Sequence, residues 1–265
     1  MKALPRWIEG LAAAAAIALM LPIVGLVTQI PWGRAGSVIT SDVVREALWL
    51  SILTSASATV AAIVLGVPLS LWLAQTNWRA AGLIRALAAV SLVLPPVVAG
   101  LALLATLGRN GVIGQVLYDR FGITIPFTPA AVVIAQTFVA LPFVVLTVES
   151  ALVSVDRRLE HAARSLGATR TDALRRVTIP VVRSALQAGA VLAFARALGE
   201  FGATVTFAGS FPGRTQTLPL AAYQALEVDP GAAMTMGLVL VMASVVVILL
   251  LRGRWWSRLA GERRL

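Results

Sequence analysis

The sequence predicts an all-α integral membrane protein with six transmembrane helices. Of its 265 residues, 58% are hydrophobic and only 13% are charged, whereas an ordinary soluble domain has roughly 25% charged residues. The mean hydropathy is +0.87. Apolar runs that reach the roughly 20 residues needed for a spanning helix recur along the chain. These six runs cover residues 8–30, 47–74, 86–107, 130–152, 184–207 and 232–251.

The runs differ in features that affect packing. The first follows two basic residues, as a secretory signal would, but it is long for a signal core and lacks a small-x-small cleavage site, so we expect a retained helix. The second carries serines and threonines among alanines, which suits close helix packing. The third contains Pro95-Pro96 and the fourth Pro142, which predicts bends made for packing or, alternatively, hinges beside a pathway. After the fifth run, residues 218–228 predict a short helix at the outer surface.

Basic residues are distributed unevenly between the two sets of loops. One side holds 16 of the 22 lysines and arginines: Lys2, Arg6, Arg79, Arg85, Arg157, Arg158, Arg164, Arg170, Arg175, Arg176, Arg183, Arg252, Arg254, Arg258, Arg263 and Arg264. Because cytoplasmic loops carry the excess of Lys and Arg, both termini and the loop 153–183 are predicted to be cytoplasmic. The formal charge of +10 therefore reflects membrane orientation rather than nucleic-acid binding.

The residue inventory argues against an enzyme. The chain has no cysteine and a single histidine, His161, which excludes thiol chemistry and a histidine or thiolate metal cluster. Its only lysine is Lys2, which rules out a GxxxxGK[ST] phosphate-binding loop. Glu9 and Glu149, near the cytoplasmic ends of spans, are expected to be solvated at the interface. We therefore expect no catalytic residue, no metal and no cofactor in this chain, and any ATP-driven work must come from a partner.

Residues 153–183, called the elbow below, predict two short helices joined at a glycine. One face of the first helix is apolar and consists of Leu159, Ala162, Ala163 and Leu166. Asp156 is the expected N-cap of this helix, and Gly167 is the expected stop.

The second helix of the elbow has its own start and stop signals. Thr169 and Asp172 resemble a capping box, and Pro180 is expected to close the helix. A helix–glycine–helix segment of this kind on a membrane protein indicates a docking device. The alternative is a basic face that stays in solvent or contacts anionic lipid.

The fifth run contains two opposite charges, Arg196 and Glu200, four residues apart and thus on one helical face. Charges at membrane depth are costly unless they are paired or face protein or water. Flanking glycines would let another backbone come close. The segment is either a structural ion pair that locks neighbouring helices or the lining of a route near an outer gate, where threonine hydroxyls offer weak contacts. The candidate pathway residues are Arg196, Gly199, Glu200, Gly202, Thr204 and Thr206.

The elbow resembles the EAA loop of ABC-importer permeases, whose pattern is E-A-A, three residues, G, nine residues and I-x-L-P. Here the register reads His161-Ala162-Ala163, then Gly167, then Val177-Thr178-Ile179-Pro180. Histidine replaces the glutamate, and Glu160 is the candidate for the displaced carboxylate. The resemblance implies that the loop seats in a groove of a cytoplasmic ATPase, which binds ATP and Mg²⁺. The implied docking residues are Glu160, His161, Ala162, Ala163, Gly167 and Pro180.

A second segment is more specific. Residues 194–209, Phe-Ala-Arg-Ala-Leu-Gly-Glu-Phe-Gly-Ala-Thr-Val-Thr-Phe-Ala-Gly, and residues 213–219, Gly-Arg-Thr-Gln-Thr-Leu-Pro, resemble the molybdate permeases. Sulfate permeases share the Ala-Leu-Gly-Glu-Phe-Gly part, whereas Ala-Thr-Val-Thr-Phe and the following Thr-Gln-Thr-Leu-Pro look more like the molybdate permeases. The resemblance implies a type I ABC importer permease fold in a bacterial cytoplasmic membrane. It also implies a homodimer of this subunit, two ATPase subunits and an external oxyanion-binding protein.

This resemblance sets the expected domains and the competing functions. Residues 1–42 are the first helix with an outer loop, residues 43–252 the permease domain, and residues 253–265 a basic cytoplasmic tail. The expected cargo is molybdate, with tungstate as a further one. The alternatives are a permease for sulfate or thiosulfate and, in a different class, a stand-alone ion-coupled carrier that works without ATP.

Overall fold

The chain is mainly helical in the part that the structure describes. A computed structural model covers the backbone of residues 5–262 and the side chains of residues 5–156, 158–247 and 249. No strand occurs within residues 5–262, in agreement with the predicted all-α class. Lys2 and the side chains of the predicted basic tail, residues 253–265, lie outside the described part.

The helices, in chain order, are as follows. They are α1 Arg6–Thr28, α2 Trp32–Ile39, α3 Asp42–Gln75, α4 Ala81–Val93, α5 Pro96–Leu107, α6 Gly114–Phe121, α7 Pro129–Val153, α8 Arg157–Ser165, α9 Arg170–Ala173, α10 Ile179–Val181, α11 Arg183–Leu198, α12 Gly202–Ala208, α13 Leu218–Val228 and α14 Pro230–Glu262. A π-helical turn, Leu174–Thr178, lies between α9 and α10. Four of these helices, α1, α3, α7 and α14, are each long and apolar enough to cross a membrane alone.

Small residues let α3, α7 and α11 pack closely against one another in the core of the fold. Five buried alanines from these three helices form one cluster: Ala58, Ala62, Ala140, Ala193 and Ala197. A Cβ built on Gly66 of α3 would lie 3.0 Å from Val144 Cγ1 of α7, and one on Gly189 of α11 would lie 3.3 Å from Val144 Cα. Such close backbone approach is typical of helix packing in membranes, where small residues line the contact.

The third predicted span is divided at Pro95-Pro96, where the sequence predicted a bend or a hinge. The chain forms α4 and α5, with Leu94 and Pro95 in extended conformations between them. Proline disfavours the α conformation in the residue before it and has no N–H to donate. Pro95-Pro96 therefore ends α4 and places Pro96 at the first position of α5. In α7, by contrast, Pro142 is buried inside an unbroken helix.

The fifth predicted span is divided as well. Instead of one helix over residues 184–207, α11 ends at Leu198 and α12 begins at Gly202. The residues between them, 199–201, are called the helix break below. Within the described residues four single helices could cross a membrane, or five spans if the bent pair Arg170–Val181 and Arg183–Leu198 counts as one; the predicted six spans are compatible with this fold and stay a prediction.

The segments between the long helices contain the predicted short helix and two further ones. The α13 helix has the predicted bounds, Leu218–Val228, and its buried residues pack against α3 and α14. Its first backbone N–H, that of Leu218, donates to Ser51 Oγ of α3 over 2.7 Å. The short helices α2 and α6 were not predicted.

Candidate functional site

The first helix of the elbow, α8, has the predicted ends. The Asp156 side chain accepts a hydrogen bond of 2.9 Å from the Arg158 N–H. At the other end Gly167 has φ +91°, and two C-terminal hydrogen bonds run from Gly167 N to Arg164 O and from Ala168 N to Ala163 O. This pair of bonds is the Schellman motif, which needs a left-handed residue after the helix. Glycine adopts that conformation without steric cost.

The second helix of the elbow begins with the predicted capping interaction. Thr169 Oγ1 accepts from the Asp172 N–H at 3.1 Å and donates to Asp172 Oδ2 at 2.6 Å. The hydroxyl of Thr169, followed by its backbone N–H, lowers the pKa of the Asp172 carboxyl below its ordinary value of 3.8, and the arginines at 176 and 175 act in the same direction. A carboxylate in the first turn also suits the positive end of a helix.

Pro180 does not close this helix, contrary to the prediction. The π-helical turn Leu174–Thr178 precedes it, and the helical path continues through α10 to Val181. Proline cannot donate to the residue four positions back and crowds the carbonyl there, which is the region that the π-helical turn remodels. The main change of direction follows at Val182, where the helices on either side meet at 67°.

The elbow presents its apolar residues to the outside of the protomer. Leu166 is 89% exposed, and Leu159 is half exposed. Ala163 and Leu166 of α8 line an open groove together with Ala173 and Val177, so the bend leaves a largely apolar notch, which the charged residues Asp172 and Arg176 also line. His161 and Ala162 are exposed as well. An exposed apolar tip among arginines fits a docking surface better than a solvated basic face.

Glu160 has a different environment from the other candidate docking residues. It is partly buried and lines a crevice beneath the elbow together with Gln75 of α3, Leu152 of α7 and Thr178. The structure thus brings Glu160 to the C-terminal ends of α3 and α7, while Ala162 and Gly167 remain at the surface.

The two charges of the fifth span form a close pair at the helix break. Arg196 Nη1 lies 2.5 Å from Glu200 Oε2, although the angles of this contact do not make a hydrogen bond. The Arg196 side chain is 30% exposed and that of Glu200 only 1%. The predicted pairing is confirmed. The predicted placement on one continuous helix is wrong, because α11 ends at Leu198.

Glu200 also caps α12. Its Oε1 accepts a hydrogen bond of 2.7 Å from the Ala203 N–H. Phe201, the N-cap residue of α12, has no side-chain acceptor of its own. The first N–H groups of any helix lack partners within it, and a carboxylate there also interacts favourably with the helix dipole. Glu200 therefore satisfies a buried donor that would otherwise be unpaired.

Two glycines let α5 and α12 touch, and we call this contact the glycine seam. A Cβ on Gly202 would lie 2.7 Å from Pro96 Cβ and 3.1 Å from the Val97 N atom. A Cβ on Gly100 would lie 2.6 Å from Thr206 Cβ and 2.9 Å from the Ala203 carbonyl oxygen. The predicted close backbone approach is thus confirmed at Gly202. It is not found at Gly199, where the nearest atom would be 3.7 Å away.

The two candidate threonines have different surroundings. Thr206 Oγ1 donates to the Gly202 carbonyl over 2.8 Å and is occupied inside its own helix. Thr204 is fully buried, and its hydroxyl finds no hydrogen-bond partner within the described chain. Gln136 of α7, which was not among the predicted site residues, is also buried, and neither its amide nitrogen nor its amide oxygen has a hydrogen-bond partner within the described chain. The signal in the sequence that could have identified Gln136 is its polar side chain in the middle of the apolar run 130–152.

The prediction that Glu149 is solvated at the membrane interface was wrong. Glu149 is 7% exposed, and its Oε1 accepts a hydrogen bond of 2.6 Å from Arg85 Nε. Nothing in the sequence pattern links the two residues, because they lie far apart in the chain. Among the described residues, no group of three or more His, Asp or Glu side chains could hold a metal ion.

The chain is similar in sequence to known transport proteins. Residues 66–261 match the family described as "Binding-protein-dependent transport system inner membrane component". Over 246 residues the chain is 44% identical to the molybdenum transport system permease protein ModB of Mycobacterium tuberculosis, with 93% of each chain covered. Over 251 residues it is 33% identical to the sulfate transport system permease protein CysT of Salmonella typhimurium, with 92% of this chain and 90% of that one covered.

A solved structure shows the same fold. The chain resembles a chain of a bacterial alginate ABC transporter in complex with an alginate pentasaccharide-bound periplasmic protein, with a TM-score of 0.72. The match covers 93% of both chains at 14% sequence identity.

Proposed function

The chain belongs to the family of binding-protein-dependent transport system inner membrane components, and on that premise we propose that it is the permease subunit of an ATP-driven molybdate importer, with tungstate as a further cargo. It has the type I permease fold of ABC importers. The observation that carries the cargo is the 44% identity to a molybdenum transport permease over 93% of both chains. That range includes the helix break, where the Ala-Leu-Gly-Glu-Phe-Gly segment holds the buried carboxylate of Glu200 beside the partly exposed Arg196.

The energy for import comes from a separate ATPase that docks on the elbow. The only lysine of the chain is Lys2, so a phosphate-binding loop of the GxxxxGK[ST] kind has no place in it. ATP and Mg²⁺ therefore belong to the partner subunit. The exposed tip at Leu166 and the apolar notch behind it supply the surface that the ATPase covers.

Two copies of this subunit enclose the transport route, and lipid covers the rest. The α4 and α5 helices expose large apolar side chains, of which Val93 is 83% and Leu101 54% exposed. These residues flank the broken third span, which packs against α12 through the glycine seam. The described residues of α1 expose most of their apolar side chains, in keeping with contact to lipid.

The orientation follows the distribution of arginines. The elbow and both termini face the cytoplasm, and the loops that hold α2, α6 and α13 face the outside. The external oxyanion-binding protein delivers its cargo to that outer face. No nucleic acid takes part.

Sulfate is the second candidate cargo, because the chain is also 33% identical to a sulfate transport permease. The two oxyanions are tetrahedral dianions, and neither the ion pair at Arg196 and Glu200 nor the hydroxyl of Thr204 discriminates between them by charge. Discrimination then belongs to the external binding protein.

The proposal is tested in vesicles that contain this chain, its ATPase and the binding protein. We expect uptake of labelled molybdate that requires ATP and survives a modest excess of sulfate. Suppression by modest sulfate would move the assignment to the sulfate importer. Uptake by the chain without ATPase and ATP would instead identify a stand-alone carrier.

A further inference from the structure

A single arginine joins three helices near the inner ends of the spans. Arg85 of α4 donates from Nε to Glu149 Oε1 of α7 over 2.6 Å and from Nη2 to the Leu73 carbonyl oxygen of α3 over 2.6 Å. We call these three residues the arginine clamp. The Arg85 side chain is 42% exposed and that of Glu149 9%. The clamp thus ties α4 to the two long helices that form the centre of the protomer.

The bonds of the clamp are directional and charge-assisted. The planar guanidinium of arginine can serve a carboxylate and a carbonyl at fixed angles, whereas an ammonium acts as a point charge. Leu73 O lies in the last turn of α3, where carbonyls have no partner inside the helix. The carboxylate of Glu149 is nearly buried and would be left without a counter-charge if Arg85 were removed.

The clamp lies between the two sites described above. On one side, Glu149 is one turn before the end of α7, and the elbow follows directly after that end. On the other side, α4 leads through the Leu94–Pro95 interruption into α5, which contacts α12 at the glycine seam. Apart from the clamp, α4 is held on α3 and α7 by a small apolar cluster that contains Leu73, Ala81 and Val145.

We propose that Arg85 is a positioning residue of the transport cycle, which makes α4 move with α7 when the ATPase displaces the elbow. Through α5 and the glycine seam, that movement reaches α12 and the helix break. Without the clamp the elbow still docks and the ATPase still turns over, but α4 no longer follows α7. This inference rests on the proposed function, because it assigns a role within ATP-driven import.

The test measures how many anions are taken up per ATP hydrolysed. Arg85→Gln and the charge-free double variant Arg85→Gln/Glu149→Gln are reconstituted with the ATPase and the binding protein, and Arg79→Gln, an exposed arginine at the start of the same segment, is the matched control. We expect Arg85→Gln to co-purify with the ATPase and to hydrolyse ATP normally. Uptake per ATP should fall about tenfold, within the range of coupling changes caused by residues between two sites. Arg79→Gln should match the wild type.

Two further variants separate positioning from simple charge pairing. Arg85→Lys keeps the pair with Glu149 but not the second bond at fixed angle, so we expect partial recovery of the uptake ratio. The exchange Arg85→Glu/Glu149→Arg keeps the pair but sets a carboxylate against the Leu73 carbonyl, so it should not recover. Full recovery by the exchange would contradict the proposal.

The remaining outcomes also decide whether Arg85 is a positioning residue. An unchanged uptake ratio in the double variant, which leaves no buried charge unpaired, would overturn the inference even if Arg85→Gln fails to fold. A parallel loss of folding, ATPase binding and uptake in both variants would show a merely structural residue. The uptake per ATP hydrolysed is measured with molybdate and with sulfate. If the wild type carries only sulfate, the proposed cargo is refuted, but the sulfate measurements still test the role of the arginine clamp.

Discussion

Glu200 Oε1 accepts a hydrogen bond of 2.7 Å from the backbone N–H of Ala203, so a buried carboxylate caps α12. Its other oxygen lies 2.5 Å from Arg196 Nη1. One side chain thus serves two partners, and the two roles are separable by substitution.

Glu200→Gln should retain the cap and lose the charge. The amide oxygen of glutamine still accepts from the Ala203 N–H, whereas Arg196 is left without a counter-charge. We expect import to be impaired in vesicles while the affinity of the external protein for its anion is unchanged.

Glu200→Ala should lose both roles. Loss of a helix cap costs about 1 kcal/mol, so this variant should unfold at a lower temperature in detergent than Glu200→Gln. Wild-type uptake by Glu200→Gln, or equal unfolding temperatures for the two variants, would contradict this account.

Gly202→Ala should be strongly destabilising although the change adds a single methyl group. The new Cβ would meet Pro96 Cβ at 2.7 Å and the Val97 N atom at 3.1 Å. Overpacking of this kind costs about 1–3 kcal/mol, and backbone atoms have little room to yield. Thermal unfolding in lipid nanodiscs measures the effect.

The matched control is Gly199→Ala in the same segment. Gly199 has φ −88°, which alanine adopts freely, and a Cβ there would be 3.7 Å from its nearest neighbour. We expect an unfolding temperature close to that of the wild type. A larger loss for Gly199→Ala than for Gly202→Ala would refute the glycine seam.

Gly167→Ala should weaken the binding of the ATPase through backbone strain alone. A Cβ at this position meets nothing within 4 Å, but φ is +91°. A left-handed conformation costs other L-residues about 1–2 kcal/mol. The altered turn should misplace Leu166 and reduce co-purification of the ATPase.

Gly167→Asn is the control, because asparagine tolerates the left-handed region better than other side-chain-bearing residues. It should retain more ATPase than Gly167→Ala. Leu166→Ser should lose the ATPase without a change in unfolding temperature, since that side chain is already 89% exposed. Full ATPase binding by both Gly167→Ala and Leu166→Ser would rule out the elbow as the docking surface.

The start of α9 should depend on pH through Asp172. The pKa of this carboxyl is lowered in the folded chain, first by the Thr169 hydroxyl. The ionised Asp172 carboxylate therefore stabilises the folded chain at pH values above the ordinary pKa of 3.8. This stabilisation is lost as the pH falls through the lowered pKa. Thr169→Val should move the pKa of Asp172 upward, which a carboxyl-selective NMR titration measures. The neighbouring Thr171→Val should leave it in place, and an equal upward shift in both variants would disprove the assigned cause.

The sequence predicted those features whose cause lies within a few residues. The caps at Asp156, Gly167 and Thr169 are local signals, and all three were found in the structure. The bounds of α13 followed from helical spacing and turn residues. The pairing of Arg196 with Glu200 followed from their separation of four residues.

Features that depend on other segments were missed. The helix break is invisible to hydropathy, because residues 199–201 lie inside an apolar run and interrupt it by backbone conformation. The partner of Glu149 is Arg85, 64 residues away along the chain, so no periodicity reveals it. Pro180 was expected to end a helix, but the π-helical turn before it lets the path continue.

The glycine seam has a consequence for how relatives of this chain can be recombined. At Gly100 and at Gly202 a methyl group is excluded by atoms of the opposite helix. A substitution in α5 therefore has to be matched by one in α12 if the two helices are to keep their contact. A chimaera that swaps α5 alone, or α12 alone, with a distant relative would mix two incompatible surfaces. Exchanging both helices together is the design that preserves the fit.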